Sequence, residues 1–270
     1  MQLGIFAKTF PGTDPLTVLS AAKVAGFDGV QYNMACSGLE PMPATITKDQ
    51  TAAIAQAAQN TGQKIFALSA TWNMIHPDPA SRAEGHRRLA TLAANAKAIG
   101  TNLISLCTGT RDPADQWRHH PDNSTPEAWA DLLAAFEAAL QIADRHDLLL
   151  GVEPELANVV NSATAARRLI DDLQSPRIRI ILDPANLFEV NPDPSDLIAR
   201  AVDLLADRLI MAHAKDRAAD GSFAAAGTGV IDFPHFIQSL KSAGFTGPLV
   251  THGLSATEAP ATAALLRGLL

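Results

Sequence analysis

Short runs of apolar residues alternate along the chain with longer, alanine-rich stretches in which apolar residues recur every three or four positions. The first pattern is typical of buried strands and the second of amphipathic helices. Eight runs are predicted to be strands: 3–7, 29–33, 64–69, 102–107, 148–153, 178–183, 208–213 and 248–252. The clearest predicted helices between them span 14–26, 81–100 and 125–146. Ser81 and Thr125 are expected to cap the last two of these helices.

The predicted strands are apolar at nearly every position, which indicates a parallel sheet that helices cover. Eight strand and helix units in 270 residues match the size of a closed (β/α)₈ TIM barrel of the α/β class. An open doubly wound sheet is the alternative, but no GxGxxG motif follows the first strand. No low-complexity linker divides the chain, so we predict a single TIM-barrel domain over residues 1–270.

Composition narrows the class of protein. Acidic residues outnumber basic ones 28 to 21 and no block of lysine or arginine occurs, which argues against a nucleic-acid partner. The N-terminus lacks the pattern of a secretory signal, and no apolar run reaches the length of a membrane span. We therefore expect a cytoplasmic protein with no membrane partner. Cys36 and Cys107 stand alone and predict no disulfide framework.

Four consecutive predicted strands end in a residue that can bind a metal ion: Glu153, Asp183, His213 and His252. The carboxyl ends of the strands form the active-site face of a TIM barrel, so these side chains are expected to meet at one rim. Two carboxylates and two imidazoles suit a divalent ion such as Mn²⁺, Mg²⁺, Co²⁺ or Zn²⁺. Pairing of the carboxylates with Arg or Lys is the alternative, because an unpaired charge would be costly there.

Other polar residues in the predicted loops of the same rim are candidate substrate contacts. For each of them, a turn, a packing position or a solvated loop is the structural alternative. Glu155 is a candidate acid or base, or a residue that orients a ligand. The long segment 108–124 is expected to form a lid or a wall of the substrate site. The candidate substrate contacts are Lys8, Asn33, Trp72, Asn73, His76, Arg111 and Lys215.

Four stretches carry a resemblance to a known family: VEPELANVV (152–160), ILDPANLF (180–187), HAKD (213–216) and residues 227–254. They resemble the xylose-isomerase-like barrels, which include sugar and sugar-phosphate isomerases, ketose 3-epimerases and inosose dehydratase, and the resemblance covers essentially the whole chain. In the epimerases one divalent ion is held by a Glu, an Asp, a His and a second Glu. Glu153, Asp183 and His213 resemble the first three of these ligands.

The fourth family ligand falls at the position of His252, where this chain departs from the pattern. Family 3-epimerases use their two glutamates as acid and base on opposite faces of a carbon beside the carbonyl. With His252 in that place, one proton carrier is absent or has become an imidazole. Asn186 stands where several family members have a histidine that contacts substrate. Arg217 lies near the position of an arginine that touches substrate in the epimerases.

The resemblance and the strand-end residues together predict a metal-dependent isomerase or epimerase of a sugar or polyol-derived ketone. Glu153 is predicted to be both ligand and proton acceptor, with Glu155 or His252 as a further acid or base. A metal-dependent lyase acting on a keto-sugar or keto-acid is the alternative. A metal-dependent hydrolase and a non-enzymatic sugar-binding protein are weaker ones. The expected partners are a small carbohydrate and further copies of the chain, in a homodimer or homotetramer.

Overall fold

A computed structural model describes residues 1–270 and confirms the predicted single TIM barrel. Eight parallel strands form a sheet in chain order, and pairing of the last of them with the first closes it. Each strand lies within a couple of residues of its predicted bounds, except for the seventh. The barrel strands are Leu3–Phe6 (β1), Gly29–Tyr32 (β2), Lys64–Ser69 (β3), Leu103–Leu106 (β4), Leu149–Val152 (β5), Ile178–Leu182 (β6), Leu209–Arg217 (β7) and Leu249–Thr251 (β9).

Eight helices surround the barrel. Thr125 caps the helix Pro126–His146 (α4) as predicted, because its side chain accepts a hydrogen bond from the amide of Ala128. The prediction for Ser81 is wrong: the helix Pro79–Ile99 (α3) begins earlier, with Asp78 as its cap and Pro79 in its first turn. The helices are Pro15–Val24 (α1), Lys48–Thr61 (α2), Pro79–Ile99 (α3), Pro126–His146 (α4), Ala163–Leu173 (α5), Ser195–Leu205 (α6), Phe233–Ser242 (α7) and Ala259–Leu269 (α8).

The apolar core has two parts, and polar side chains lie above the smaller one. The larger part fills the space between strands and helices. Side chains from five strands also meet each other, and such contacts across the ring of strands place them inside the barrel. The small inner cluster leaves the carboxyl-terminal end of the barrel to polar groups. None of the helices has both the length and the apolar character needed to cross a lipid bilayer.

Strand β7 runs beyond its predicted end at His213 and forms a hairpin with Phe223–Ala225 (β8), which pairs antiparallel to it. The buried Asp216 carboxylate at the base of this hairpin accepts hydrogen bonds from the amides of Gly227, Gly229 and Ile231. A Cβ at Gly229 would lie 2.0 Å from a backbone oxygen of the hairpin, so this position requires glycine. The Gly-rich segment therefore wraps the Asp216 carboxylate, and the hairpin extends the barrel rim.

Candidate metal centre

Glu153, Asp183, His213 and His252 meet at the carboxyl end of the barrel, and one ligand atom from each lies within 4.8 Å of the others. Nδ1 of His213 is 3.1 Å from Oε1 of Glu153. Nε2 of His252 is 2.9 Å from Oδ2 of Asp183. Donors bound about 2.0–2.2 Å from one ion are separated by distances of this order, so the four residues fit a single divalent cation.

Gln31 orients His213, and the sequence analysis did not single it out. Nε2 of His213 lies 2.8 Å from Oε1 of Gln31, which can only accept a hydrogen bond. The Gln31 amide nitrogen donates in turn to the hydroxyl of Ser105, 3.0 Å away. This chain places the ring proton on Nε2 and directs the lone pair of Nδ1 at the cluster. Alternation within β2 points Gln31 into the barrel, and this was the available sequence signal.

Lys215 and Asn186 adjoin the four donors. Nζ of Lys215 lies 3.1 Å from Oδ2 of Asp183 and donates to Oδ1 of Asn186 at 2.7 Å. Nδ2 of Asn186 donates to Oε1 of Glu153 at 2.9 Å. The alternative stated above, pairing of the carboxylates with Arg or Lys, therefore holds for Asp183, which pairs with Lys215. One ammonium cannot neutralise two buried carboxylates, so the donor set still favours a further positive charge.

Burial and neighbouring charges both shift the pKa values of the site residues. Burial alone would raise the pKa of Asp183, but the Lys215 ammonium and two histidine hydrogen bonds hold that pKa well below its usual range. Burial and then the Glu153 carboxylate raise the pKa of Glu155 to about 7. Burial opposes a charge on His213, but the nearby carboxylates outweigh it and raise its pKa to about 9. In this cluster the carboxylates thus favour a proton on Nδ1 of His213, the nitrogen that faces the other donors.

Asn73 and His76 join the loop after β3 to the loop after β4. Oδ1 of Asn73 accepts from the amide of Thr110 at 3.0 Å, and its Nδ2 donates to the carbonyl of Asp112 at 3.2 Å. Nε2 of His76 lies 3.0 Å from the carbonyl oxygen of Pro113. The structure therefore engages both side chains in contacts between loops, and substrate binding by them stays a prediction.

Arg111 and Trp72 also make contacts away from the metal-type cluster, the name used here for Glu153, Asp183, His213 and His252. Arg111 donates to the carbonyl of Ile75 at 3.2 Å and to Asp131 on α4 at 2.7 Å. The indole of Trp72 lies against α3 at Gly85, where a Cβ would come within 2.1 Å of the ring. Contacts of the loops after β3 and β4 with each other and with α3 and α4 therefore account for both side chains. Their contact with substrate stays a prediction.

The remaining predicted contacts differ in how near they lie to the cluster. Lys8 is exposed in the turn after β1. Asn33 is buried, and its side chain accepts from the amide of Ala35, as expected of a turn residue. Arg217 extends from β7 and places its guanidinium over the ring of Phe223, 4.3 Å from the ring centre. Of these three, only Arg217 lies on an element that also carries a member of the cluster.

The long segment after β4 is hydrogen-bonded within itself and to the loop after β5. The buried Asn123 side chain binds the amide of Arg111 at 2.7 Å and the carbonyl of Ala157 at 2.8 Å. Asn158, in the loop after β5, accepts from the amide of Gly109 at 2.7 Å. Hydrogen bonds at both ends hold the segment against its neighbour. These contacts place the segment along the rim, and its role as a lid or a wall of the substrate site stays a prediction.

The fold and the strand-end cluster define a TIM barrel with a metal-type donor set at its catalytic face. A family model described as xylose isomerase-like TIM barrel matches residues 19–269. The chain belongs to this family, which confirms the resemblance drawn from the sequence.

Individual relatives agree with that assignment. The chain is 26% identical over 264 residues to the L-ribulose-5-phosphate 3-epimerase of Escherichia coli O157:H7 (strain EC4115), covering 95% of this chain and 88% of the relative. The 3-keto-D-glucoside 4-epimerase of E. coli superposes with a TM-score of 0.78 at 18% identity over 99% of both chains. The D-allulose 3-epimerase of Methylomonas sp. has a TM-score of 0.76 at 18% identity over 100% of this chain and 98% of its own. At such identities, the two structures support the fold alone.

Proposed function

We propose that the protein is a divalent-metal-dependent isomerase or epimerase that acts on a sugar or a polyol-derived ketone. The observation that carries this proposal is the convergence of four donors from four strands within 4.8 Å at the barrel rim. The full-length similarity to a ketose-phosphate 3-epimerase supports the reaction class. Such an enzyme moves a proton beside a carbonyl, which requires a base, an acid and a stabilised negative oxygen.

Glu153, Asp183, His213 and His252 would hold the ion. When bound, the ion supplies a Lewis acid that lowers the energy of negative charge on substrate oxygens. Lys215 adds a second positive charge, because its ammonium lies 3.1 Å from Asp183. The protein thus concentrates positive potential where an enolate oxygen would develop.

Glu153 is the first proton acceptor. Its Oε1 receives hydrogen bonds from Asn186 and lies 3.1 Å from His213, whereas its Oε2 has no hydrogen-bond partner in the protein. The free oxygen takes the proton from the carbon beside the carbonyl. Asn186 holds the carboxylate plane in place through this step.

Two groups compete for the return of the proton to the other face of the carbon. Nδ1 of His252 has no protein partner, because its contact with Asp183 is made through Nε2. Glu155 lies 4.0 Å from Lys215 and lines a cavity at the rim. Variants of His252 and of Glu155, tested separately, distinguish which residue returns the proton. Loss of epimerisation with retained exchange of the substrate proton identifies the group that serves the second face.

The test combines metal content with proton exchange. Purified protein supplied with Mn²⁺, Co²⁺ or Zn²⁺ is expected to hold about one equivalent by plasma mass spectrometry. Ketoses incubated with it in deuterium oxide are expected to gain deuterium at the carbon beside the carbonyl, seen by NMR. Protein that binds none of the three ions would refute the proposed mechanism.

His252→Glu tests the departure from the family pattern. Because the variant supplies a second glutamate at the position of the fourth ligand, a gain of epimerase activity would show that the site runs the two-glutamate reaction. Loss of all activity with metal retained would assign a role that only the imidazole performs. His252→Ala serves as the reference, because it has neither the imidazole nor the added carboxylate at this position.

No observation favours the alternative reactions. The structure contains one cluster of three or more potential ligands, so the multi-metal site expected of the hydrolase relatives is absent. Nothing in the cluster points to a leaving group, as the lyase alternative would require. The oligomeric state and the cellular location stay predictions from the sequence.

A further inference from the structure

A cavity of about 740 Å³ opens on the carboxyl-terminal face beside the metal-type cluster. We call it the outer cavity. Parts of four rim segments line it: 117–119 after β4, 155–157 after β5, 189–190 after β6, and 217–223 in the hairpin. A volume in the range of about 300–1,000 Å³ accommodates a ligand of drug size, which is larger than one sugar ring.

The outer cavity adjoins the proposed reaction site at Lys215. Glu155 and Phe223 line it, and both also surround Lys215. Nζ of Lys215 lies 4.0 Å from Oε1 of Glu155 and 3.9 Å from the centre of the Phe223 ring. The same ammonium is 3.1 Å from Asp183. A substrate whose ketone reaches the cluster would therefore extend into the outer cavity past one side chain.

Apolar surface is concentrated in the outer cavity. Seven large hydrophobic side chains are exposed on the protein, and three of them line this one cavity. Trp117 is 49% exposed, Phe223 51% and Val190 67%. The indole of Trp117 makes no side-chain hydrogen bond that would explain its position. Exposed aromatic faces next to polar groups are suited to the C–H faces of a sugar ring.

The charges of the outer cavity disfavour a phosphate group. Its acidic residues, Glu155, Glu189 and Asp220, carry no arginine or lysine salt bridge of 3.5 Å or shorter. Its two arginines each use two of their three guanidinium nitrogens on the protein itself. Arg118 forms a two-point ion pair with Asp112, and Arg217 donates to backbone carbonyls. Phosphate recognition requires free guanidinium or ammonium donors, or a helix N-terminus. A neutral polar substituent suits these walls better.

We propose that the outer cavity binds a neutral glycosyl substituent of the ketone substrate, so that the preferred substrate is a glycosylated ketose. This inference rests on the proposed function. It assigns Trp117 and Val190 to substrate specificity, with the Trp117 ring as the stacking surface. It also predicts discrimination against a phosphate at the same position of the sugar.

Three ketoses that differ only in the substituent on O6 test the inference: D-fructose, D-fructose 6-phosphate and isomaltulose, which carries a glucosyl group there. The Mn²⁺-loaded protein is assayed for deuterium exchange beside the carbonyl. We expect kcat/KM to be at least about tenfold higher for isomaltulose than for fructose, which corresponds to one good stacking contact, and lowest for the phosphate.

Two variants and a control locate the effect. Trp117→Ala is expected to raise KM for isomaltulose about tenfold and to leave fructose unchanged. Glu189→Lys is expected to improve fructose 6-phosphate relative to fructose, because it supplies a free ammonium to the outer cavity. Val24→Ala trims an exposed apolar side chain on α1, away from the outer cavity, and is expected to change the kinetics of none of the three substrates.

Equal kcat/KM for isomaltulose and fructose, or an equal effect of Trp117→Ala on both, would overturn the inference while leaving the proposed function intact. Exchange with none of the three sugars would count against the proposed function instead. In that case calorimetric binding of the same sugars to the Mn²⁺-loaded protein decides the inference separately. Binding of isomaltulose no tighter than fructose would then refute it.

Discussion

The polar residues that follow β5, β6 and β9 behave differently from those in the loops after β3 and β4. At the first group of strand ends, Glu153, Asp183 and His252 converge with His213 on one point. Within this buried cluster, Nδ1 of His213 lies 3.8 Å from the Asp183 carboxylate. In the loops after β3 and β4, Asn73 and the other predicted contacts bind loop backbone or a neighbouring helix.

The difference shows what position contributes beyond residue type. A side chain at the end of a barrel strand has its direction set by the strand, so residues at equivalent ends converge. A polar side chain several residues into a loop has many backbone groups within reach, and those groups need partners when they are buried. The loops after β3 and β4 therefore use their polar residues to hold the rim together. Four experiments test this division.

Asp183→Asn is expected to have the largest effect. The amide removes one negative charge from the cluster and leaves Lys215 without its ion pair, so metal content should fall to background and proton exchange should vanish. Plasma mass spectrometry and deuterium NMR measure the two outcomes. Asp131→Asn is the matched control in the other region, because it removes a carboxylate that binds two arginines. It should retain full metal content, and loss of metal there would erase the distinction between the regions.

Gln31→Met should weaken the metal centre without removing a ligand. The variant keeps the volume of the side chain but no longer accepts the proton on Nε2 of His213, so the ring loses its fixed tautomer. We expect metal affinity to fall about 10–100-fold, measured by competition with a fluorescent chelator. Ser105→Ala removes only the outer partner of Gln31 and should have a smaller effect. An unchanged affinity in Gln31→Met would show that strand geometry alone orients His213.

Gly85→Ala tests the packing role assigned to Trp72. The added methyl would lie 2.1 Å from the indole, so the variant should destabilise the protein by about 1–3 kcal/mol and alter tryptophan fluorescence. Urea unfolding measures the change. Gly268→Ala in α8 meets no atom within 4 Å and should be neutral or stabilise by up to about 1 kcal/mol. Equal stability of the two variants would mean that Trp72 is free to move, as a substrate contact requires.

Arg111→Ala should have the smallest effect. It removes hydrogen bonds to Ile75 and Asp131, and Asp131 keeps Arg82 as a partner, so a loss of about 1 kcal/mol is expected. Substrate KM should not change, because the guanidinium points at α4 rather than into the cluster. A large rise in KM at unchanged stability would instead return Arg111 to the substrate site.

The amino-acid sequence alone determined the alternation of strands and helices, the closed barrel and the four residues of the cluster. Apolar periodicity reports which elements form, and a charged residue that ends a buried strand reports which face of the barrel it reaches. The family resemblance added the reaction class. These features depend on local pattern and on the regular geometry of one repeated unit, which is why they could be predicted before the fold was known.

Only the tertiary structure decided which polar residues from distant segments meet. Gln31 and His213 are far apart in the chain, and no local pattern reports their hydrogen bond. The hairpin that brings Phe223 over Lys215 likewise depends on the Asp216 carboxylate gathering amides of the Gly-rich segment. Such contacts arise from the packing of separate segments, whose partners are chosen by the need to satisfy buried polar groups once the barrel has closed.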